Sequence, residues 1–306
     1  MRGTNTFPAE NVIKNAAELG FKFDAQTGRE FSVYHMSCLP NAREYAKSVL
    51  LDMIETPSFD HDRVEREKKI VFEEASLIDS IPREKVFQQL HAAAYGPRGL
   101  GNTILGTDNV DSFTTSDLNS FFEQHFKNAY FFDSTCSTAE FDTIDLPSDP
   151  NSMLKTGYTH FETEHTDGRD RFGILFETAS KDEAHQFTWH LDQQLKHLRS
   201  DNFENVTGFM LQYSDRCVFG LMGILKRDNC DLNEILNVVK SNYEDFRNDK
   251  SNSLNLETLE AINSNTLYLI EKALSTPHID AHIYSTVQES LYNPCIITSG
   301  KKSIWY

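Results

Sequence analysis

Between residues 59 and 95 the chain carries turn after turn of helical periodicity, broken once by Pro82, and this run restricts the fold more than any other stretch. Before the break, Val64, Glu67, Val71, Glu74 and Ile78 step by three and four residues and so share one helix face. Glu74 is the odd member, because its neighbours one turn away are Ile70, Val71, Leu77 and Ile78, and no basic side chain is placed to pair with it along its own helix. Glu73 has Lys69 and Glu67 has Arg63 four residues back. A carboxylate buried on such a stripe without a partner costs on the order of several kcal/mol. Metal coordination is one compensation. A partner from another element, or a helix edge that carries the side chain into water, are the others.

After Pro82 a second helix is expected over Arg83–Tyr95, burying Phe87, Leu90 and Ala94, with Glu84, Gln88, His91 and Tyr95 on a different, polar face. Upstream, a helix from Phe7 to Leu19 should bury Val12, Ile13, Ala16 and Leu19 and stop at Gly20. FKFDAQT and EFSVYHMSC, with a turn at Gly28, read as a hairpin, and Asn41 as the cap of a helix that closes before Pro57. The glycine-rich GPRGLGNTILG is a loop without the GK[ST] of a phosphate cradle. Ser112 or Thr115 is expected to cap the helix SDLNSFFEQHF, and YFFDSTC to form a strand.

From Asp142 to Gly157 the composition shifts to Asp, Pro, Ser and Asn, which marks a linker. Beyond it THFETEH and DRFGILFETA alternate like strands, 182–198 is helical, and GFMLQYSDRCVFGLMGILKR is a strand pair around a polar SDR turn. Helices at 232–247 and 256–274, a short helix and a closing strand at PCIITS follow. The same order of elements in both halves suggests a duplicated α+β unit, divided at about 165/166, whose first copy lacks an opening strand and helix.

With 46 acidic against 29 basic residues the net charge is -17, which opposes nucleic acid and favours basic peptides. No apolar run approaches the roughly 18 residues of a membrane span. The opening RGTNTFPAEN has neither the apolar core of a secretion signal nor an arginine-rich presequence pattern. Cys38, Cys136, Cys217, Cys230 and Cys295 lack CxxC spacing and read as free thiols in a reducing compartment. The histidine pairs 160/165 and 185/190 are five apart, which fits no metal-binding helix spacing.

The segments ELGFKFDAQTGREFSVYH, RVEREKKIVFEEASLIDS and REKVFQQLHAAAYGPRGLGNTILGT, taken in order, resemble the beta-subunit family of mitochondrial processing peptidases. These are pitrilysin-like zinc peptidases, inverzincins with H-x-x-E-H on a helix. The resemblance implies an α+β fold of two homologous α/β-sandwich domains, the first here lacking the strand and helix that carry the motif. It implies that Glu74 matches the family's downstream zinc ligand and Glu67 its supporting acid. No H-x-x-E-H occurs in the 306 residues, so no catalytic residue is assigned and zinc is not expected to be held by this chain as given.

The resemblance also implies that Glu84 matches the first of an acidic pair that reads a substrate arginine, where Gln88 replaces the second, and that Asp24 and Ala25 lie on the strand that pairs with substrate. The expected partners are a homologous alpha-type subunit, or subunits of respiratory complex III for a core-type protein, and basic presequence peptides. The expected location is the mitochondrial matrix or a related organelle.

Overall fold

A computed structural model describes residues 4, 6–126, 129, 153–198, 200–227, 230–248 and 286–301, which form two compact units. The strand expected at 130–136, the helix at 256–274, Cys136 and most of the linker lie outside the described residues.

The first unit comprises residues 1–76 and 104–139. Helix α1 (Ala9–Leu19) follows Pro8 and ends at Gly20, whose positive φ of 74° lets its N–H reach the carbonyl of Ala16. Strands β1 (Phe21–Thr27) and β2 (Ser32–Cys38) pair antiparallel from Phe21↔Cys38 to Thr27↔Ser32. Helix α2 (Arg43–Glu55) adds Ala46 and Val49 to a small core with Val12, Phe21 and Ala42, and Tyr45 meets Phe7 edge-on at 5.7 Å. Asn41 does not cap α2. A 3-10 turn over Pro40–Ala42 leads into it instead, started by the fixed φ of Pro40. Ile13 is 68% exposed, because Val12, Ala16 and Leu19 already fill the inward stripe.

Helix α3 (His61–Ser80) is continuous, and Val64 is its single buried residue. Helix α5 (Thr115–His125) is capped by Thr114 rather than Ser112 or Thr115. The Thr114 hydroxyl accepts from the Asp117 N–H while the Asp117 carboxylate accepts from the Thr114 N–H, a reciprocal pair available only where an acid lies three residues on.

The second unit, residues 77–103 and 140–306, holds a five-stranded sheet in the order β3-β7-β4-β6-β5. Its strands are β3 (Gly157–Glu162), β4 (Arg171–Thr178), β5 (Phe203–Gln212), β6 (Cys217–Leu225) and β7 (Cys295–Gly300). Only β3 and β7 run parallel.

Side chains two apart share a sheet face, so each central strand sorts its residues between two helical layers. Phe172, Ile174 and Phe176 of β4, Phe219 and Leu221 of β6 and Ile296 of β7 pack with α6 (Lys181–Leu195) and α7 (Leu232–Asn248) through Phe187, Leu191, Ile235 and Val239. Leu175, Val218, Met222 and Ile297 face α4 (Pro82–Tyr95) through Val86, Leu90 and Ala94. A Cβ on Gly173 would lie 3.1 Å from the Leu90 side chain, which shows how closely α4 approaches β4. A short helix α8 (Val287–Ser290), capped by Thr286, leads into β7.

Two expectations change here. β4 does not alternate between buried and exposed but is buried along its whole length, since both faces are covered. α4 buries His91 and Tyr95 with Val86, Leu90 and Ala94, whereas Phe87 is only partly buried. Within the second compact unit β3 pairs with β7, and residues 77–103 lie with the sheet that α4 covers.

Leu90→Ala should lower the unfolding free energy by about 2–5 kcal/mol, because it empties a fully buried site between α4 and β4. Urea denaturation followed by circular dichroism checks this.

Candidate functional site

Pro82 starts α4 without wasting a hydrogen bond and Gly96, with a φ of 81°, ends it. Along the helix Glu84, Gln88, His91 and Tyr95 are spaced by four, three and four, so they form one polar stripe. Glu84 and Gln88 are partly open to solvent, and His91 and Tyr95 are buried.

The buried end is fully engaged. His91 Nδ1 lies 2.9 Å from the carbonyl of Phe87 and Nε2 3.1 Å from the Tyr213 hydroxyl, as expected of a neutral ring that donates from Nδ1 and accepts at Nε2. Tyr95 donates its hydroxyl to Glu177 Oε2 at 2.7 Å. Arg216 donates to the same oxygen at 3.0 Å and grips Asp215 with two further bonds of 2.8 and 2.7 Å. Lys181 Nζ donates to the carbonyls of Tyr213 and Ser214.

The electrostatics follow from this geometry. Burial raises the Glu177 carboxyl above its usual range, against the pull of Arg216 and Tyr95. Burial and the neighbouring Glu177 charge hold the Tyr95 phenol well above its ordinary value, so it remains a donor. Burial works against the charge on Arg216, but its bonds to Asp215 and the charge of Glu177 outweigh it and the guanidinium stays protonated. The polar SDR segment is thus a buried ionic centre rather than an exposed turn. Its signals in the sequence are an acid near the end of the apolar RFGILFET and a cation directly before the apolar CVFGLMGIL, which the β4–β6 register brings together.

The other expected residues are placed as follows. Glu67 and Glu74 lie on α3 roughly 10 Å apart along the axis. Glu67 is partly buried, whereas Glu74 is exposed and has no hydrogen bond or ion pair with the described residues. The stripe around Glu74 is not a buried one, with Leu77 exposed and Ile70, Val71 and Ile78 only partly buried, so no desolvation cost demands a partner for its carboxylate. Among the described residues no three His, Cys, Asp or Glu side chains converge to hold a metal. Glu67 and Glu74 alone do not make up the donor set of a zinc site among the described residues, and no step is derived through the metal.

Asp24 and Ala25 are exposed on β1, opposite His35 and Tyr34; the Asp24 carboxylate accepts from the Ala25 N–H at 2.9 Å. Among the described residues β1 has a strand on one side only. Cys38, Cys217, Cys230 and Cys295 are free thiols, and burial pushes the Cys295 thiol up to about 12. Of the histidine pairs 160/165 and 185/190, His160 Nδ1 meets the Thr298 hydroxyl at 2.9 Å, His165 Nε2 the Ser299 carbonyl at 3.1 Å, and the His190 ring lies 5.8 Å from that of Phe246. Among the described residues no helix is long and apolar enough to cross a membrane.

Comparison with known proteins finds likenesses over part of the chain. Residues 1–108 match the profile of the insulinase family, peptidase family M16. A "Probable mitochondrial-processing peptidase subunit beta" of Schizosaccharomyces pombe is 34% identical over 125 residues, 39% of this chain and 27% of that protein. The Arabidopsis thaliana protein of the same name is 23% identical over 269 residues, 75% of this chain and 51% of that one. The chain's matches thus span about a quarter to a half of these relatives. The crystal structure of a peptidase M16 inactive domain from Pseudomonas fluorescens superposes with a TM-score of 0.64 at 12% identity, over 100% of this chain and 87% of that one.

Burial lowers the pKa of His165, with the nearby charges of Arg171 and Lys85 adding to the effect and Asp167 opposing it. The unfolded chain then binds more protons than the folded one below about pH 6.5, so stability should fall as pH drops from there through the folded value. His165→Gln should flatten this slope in urea titrations at pH 5 to 7. Through residues 1–108 the chain is related to peptidase family M16, it carries the pitrilysin-like α+β fold, and beta subunits of mitochondrial processing peptidases are among its relatives.

Proposed function

We propose that the chain is a beta-type subunit that binds basic presequence peptides in a mitochondrial matrix or a related organelle, beside a homologous alpha-type partner. Over the residues given it binds rather than cleaves. The observation that carries this reading is the open end of the α4 stripe, where Glu84 and Gln88 face partly into solvent in the segment that matches the peptidase family.

A peptide arginine can dock on the Glu84 carboxylate through two parallel N–H···O bonds. Gln88 accepts a further bond at its amide oxygen but supplies no charge, so arginine is preferred less strongly than it would be by two acids. Independently, the one-sided strand β1 at Asp24 and Ala25 offers main-chain pairing to an extended peptide. The net charge of -17 draws basic peptides in at low salt.

Cleavage in the family needs zinc and a water-activating glutamate, and the 306 residues hold no H-x-x-E-H. Glu74 and Glu67 keep the register of ligand and supporting acid without the remaining donors. Purified chain should therefore carry well under one zinc per molecule by elemental analysis.

Fluorescence anisotropy with an arginine-bearing presequence peptide tests the binding reading. Glu84→Gln should weaken binding roughly three- to tenfold, and raising salt should weaken it further. Equal affinity for the parent peptide and its arginine-to-citrulline analogue, with no salt dependence, would sink the reading.

A second reading, a core-type assembly subunit like those of respiratory complex III, is favoured by Gln88, the neutral replacement in the arginine-reading pair. Recovery of a stable stoichiometric complex that takes up no presequence peptide would select it.

A further inference from the structure

The two layers that hold α4 do different jobs. Apolar contacts from Val86, Leu90 and Ala94 set how far the helix stands from the sheet, but burial is non-directional and tolerates rotation of the helix about its axis. Hydrogen bonds are directional and do not. The directional contacts cluster at the carboxyl-terminal end of α4, where Tyr95 donates to Glu177 Oε2 at 2.7 Å and His91 meets the Tyr213 hydroxyl at 3.1 Å. Glu177 is itself immobilised by Arg216 at 3.0 Å, and Arg216 by two bonds to Asp215. Tyr95 and Glu177 thus join the last residue of α4 to the sheet through groups that have almost no contact with water.

The same stripe that ends in this anchor begins with Glu84 and Gln88. With a helix radius of about 5–6 Å, a rotation of about 20° moves a side chain at its surface by about 2 Å. That displacement is enough to break a two-bond carboxylate–guanidinium geometry while leaving a simple charge contact in place.

We propose that Tyr95 and Glu177, backed by Arg216, are positioning residues: they fix the rotational setting of α4 and so the aim of Glu84 and Gln88 at a peptide guanidinium. This assignment rests on the peptide-binding reading above. It makes the preference for arginine over lysine depend on two residues that never touch the peptide. Lysine, a compact point charge, is insensitive to the aim of the carboxylate, whereas arginine, a planar fork, is not.

The test uses the full chain with Tyr95→Phe and Glu177→Gln, and Leu90→Ala as a control that weakens the apolar contact without touching the anchor. Amide hydrogen exchange over residues 82–95 should quicken at least about tenfold in both anchor variants, with α6 and α7 unchanged. The affinity ratio for an arginine peptide over its lysine counterpart should fall about threefold or more in both, while lysine-peptide affinity is kept. Leu90→Ala should lower stability and leave the ratio alone. Unaltered exchange in α4 overturns the anchor, and faster exchange with an unchanged ratio overturns the positioning role. A wild-type chain that binds neither the arginine nor the lysine peptide overturns the peptide reading and this assignment with it, whereas a wild-type chain that binds both without preference, or a preference that survives in both variants, overturns this assignment alone.

Discussion

Arg216 is a cation with almost no access to water, and the arrangement of the second unit depends on how it is matched. An unpaired guanidinium in that position would cost several kcal/mol. Asp215 meets it through two parallel bonds and Glu177 through a third, and the acceptor oxygen of Glu177 is shared with Tyr95. These partners come from three places: the hairpin between β5 and β6, the end of β4, and the last residue of α4. The register of two strands, the shape of a turn and the seat of a helix are therefore conditions of one another. A buried network of this kind adds less to stability than to the choice of a single arrangement, since its members tolerate no alternative partners.

The apolar layers give the same segments their depth. The family match ends at residue 108, shortly after α4, yet the core partners of α4 are Leu175, Val218, Met222 and Ile297, all beyond it. One face of α4 is thus completed by a stretch of the chain outside the segment that the family profile matches. The stripe that carries the buried His91 and Tyr95 at one end keeps Glu84 and Gln88 partly open at the other, so that packing and recognition share one element at different points along its length.

Local features were legible in the sequence and non-local ones were not. The β1–β2 hairpin could be read from two strand-like runs around Gly28, and the β5–β6 pair from the apolar stretches flanking the SDR segment, because neighbours in sequence decide both. The Thr114 cap was readable in principle, since among the four hydroxyl residues near that helix start, Ser112, Thr114, Thr115 and Ser116, only Thr114 has an acid three residues later. The exposure of Glu74 was not readable: periodicity shows which residues share a face but not whether anything covers it. The burial of His91 and Tyr95 had the same obstacle, for it follows from β4 and β6 pairing at a register that no local pattern encodes.

Tyr95 and Glu177 are separated by 82 residues, and this distance has a cost during synthesis. At about 5–20 residues per second a ribosome needs roughly 4–16 s to reach β4 after finishing α4. Throughout that interval Val86, Leu90 and Ala94 have no sheet to rest on, and β7, the last of the described strands, arrives later still. Closure of the layer must wait for these long-range contacts, which slows folding and leaves an oily helix face available to any neighbour.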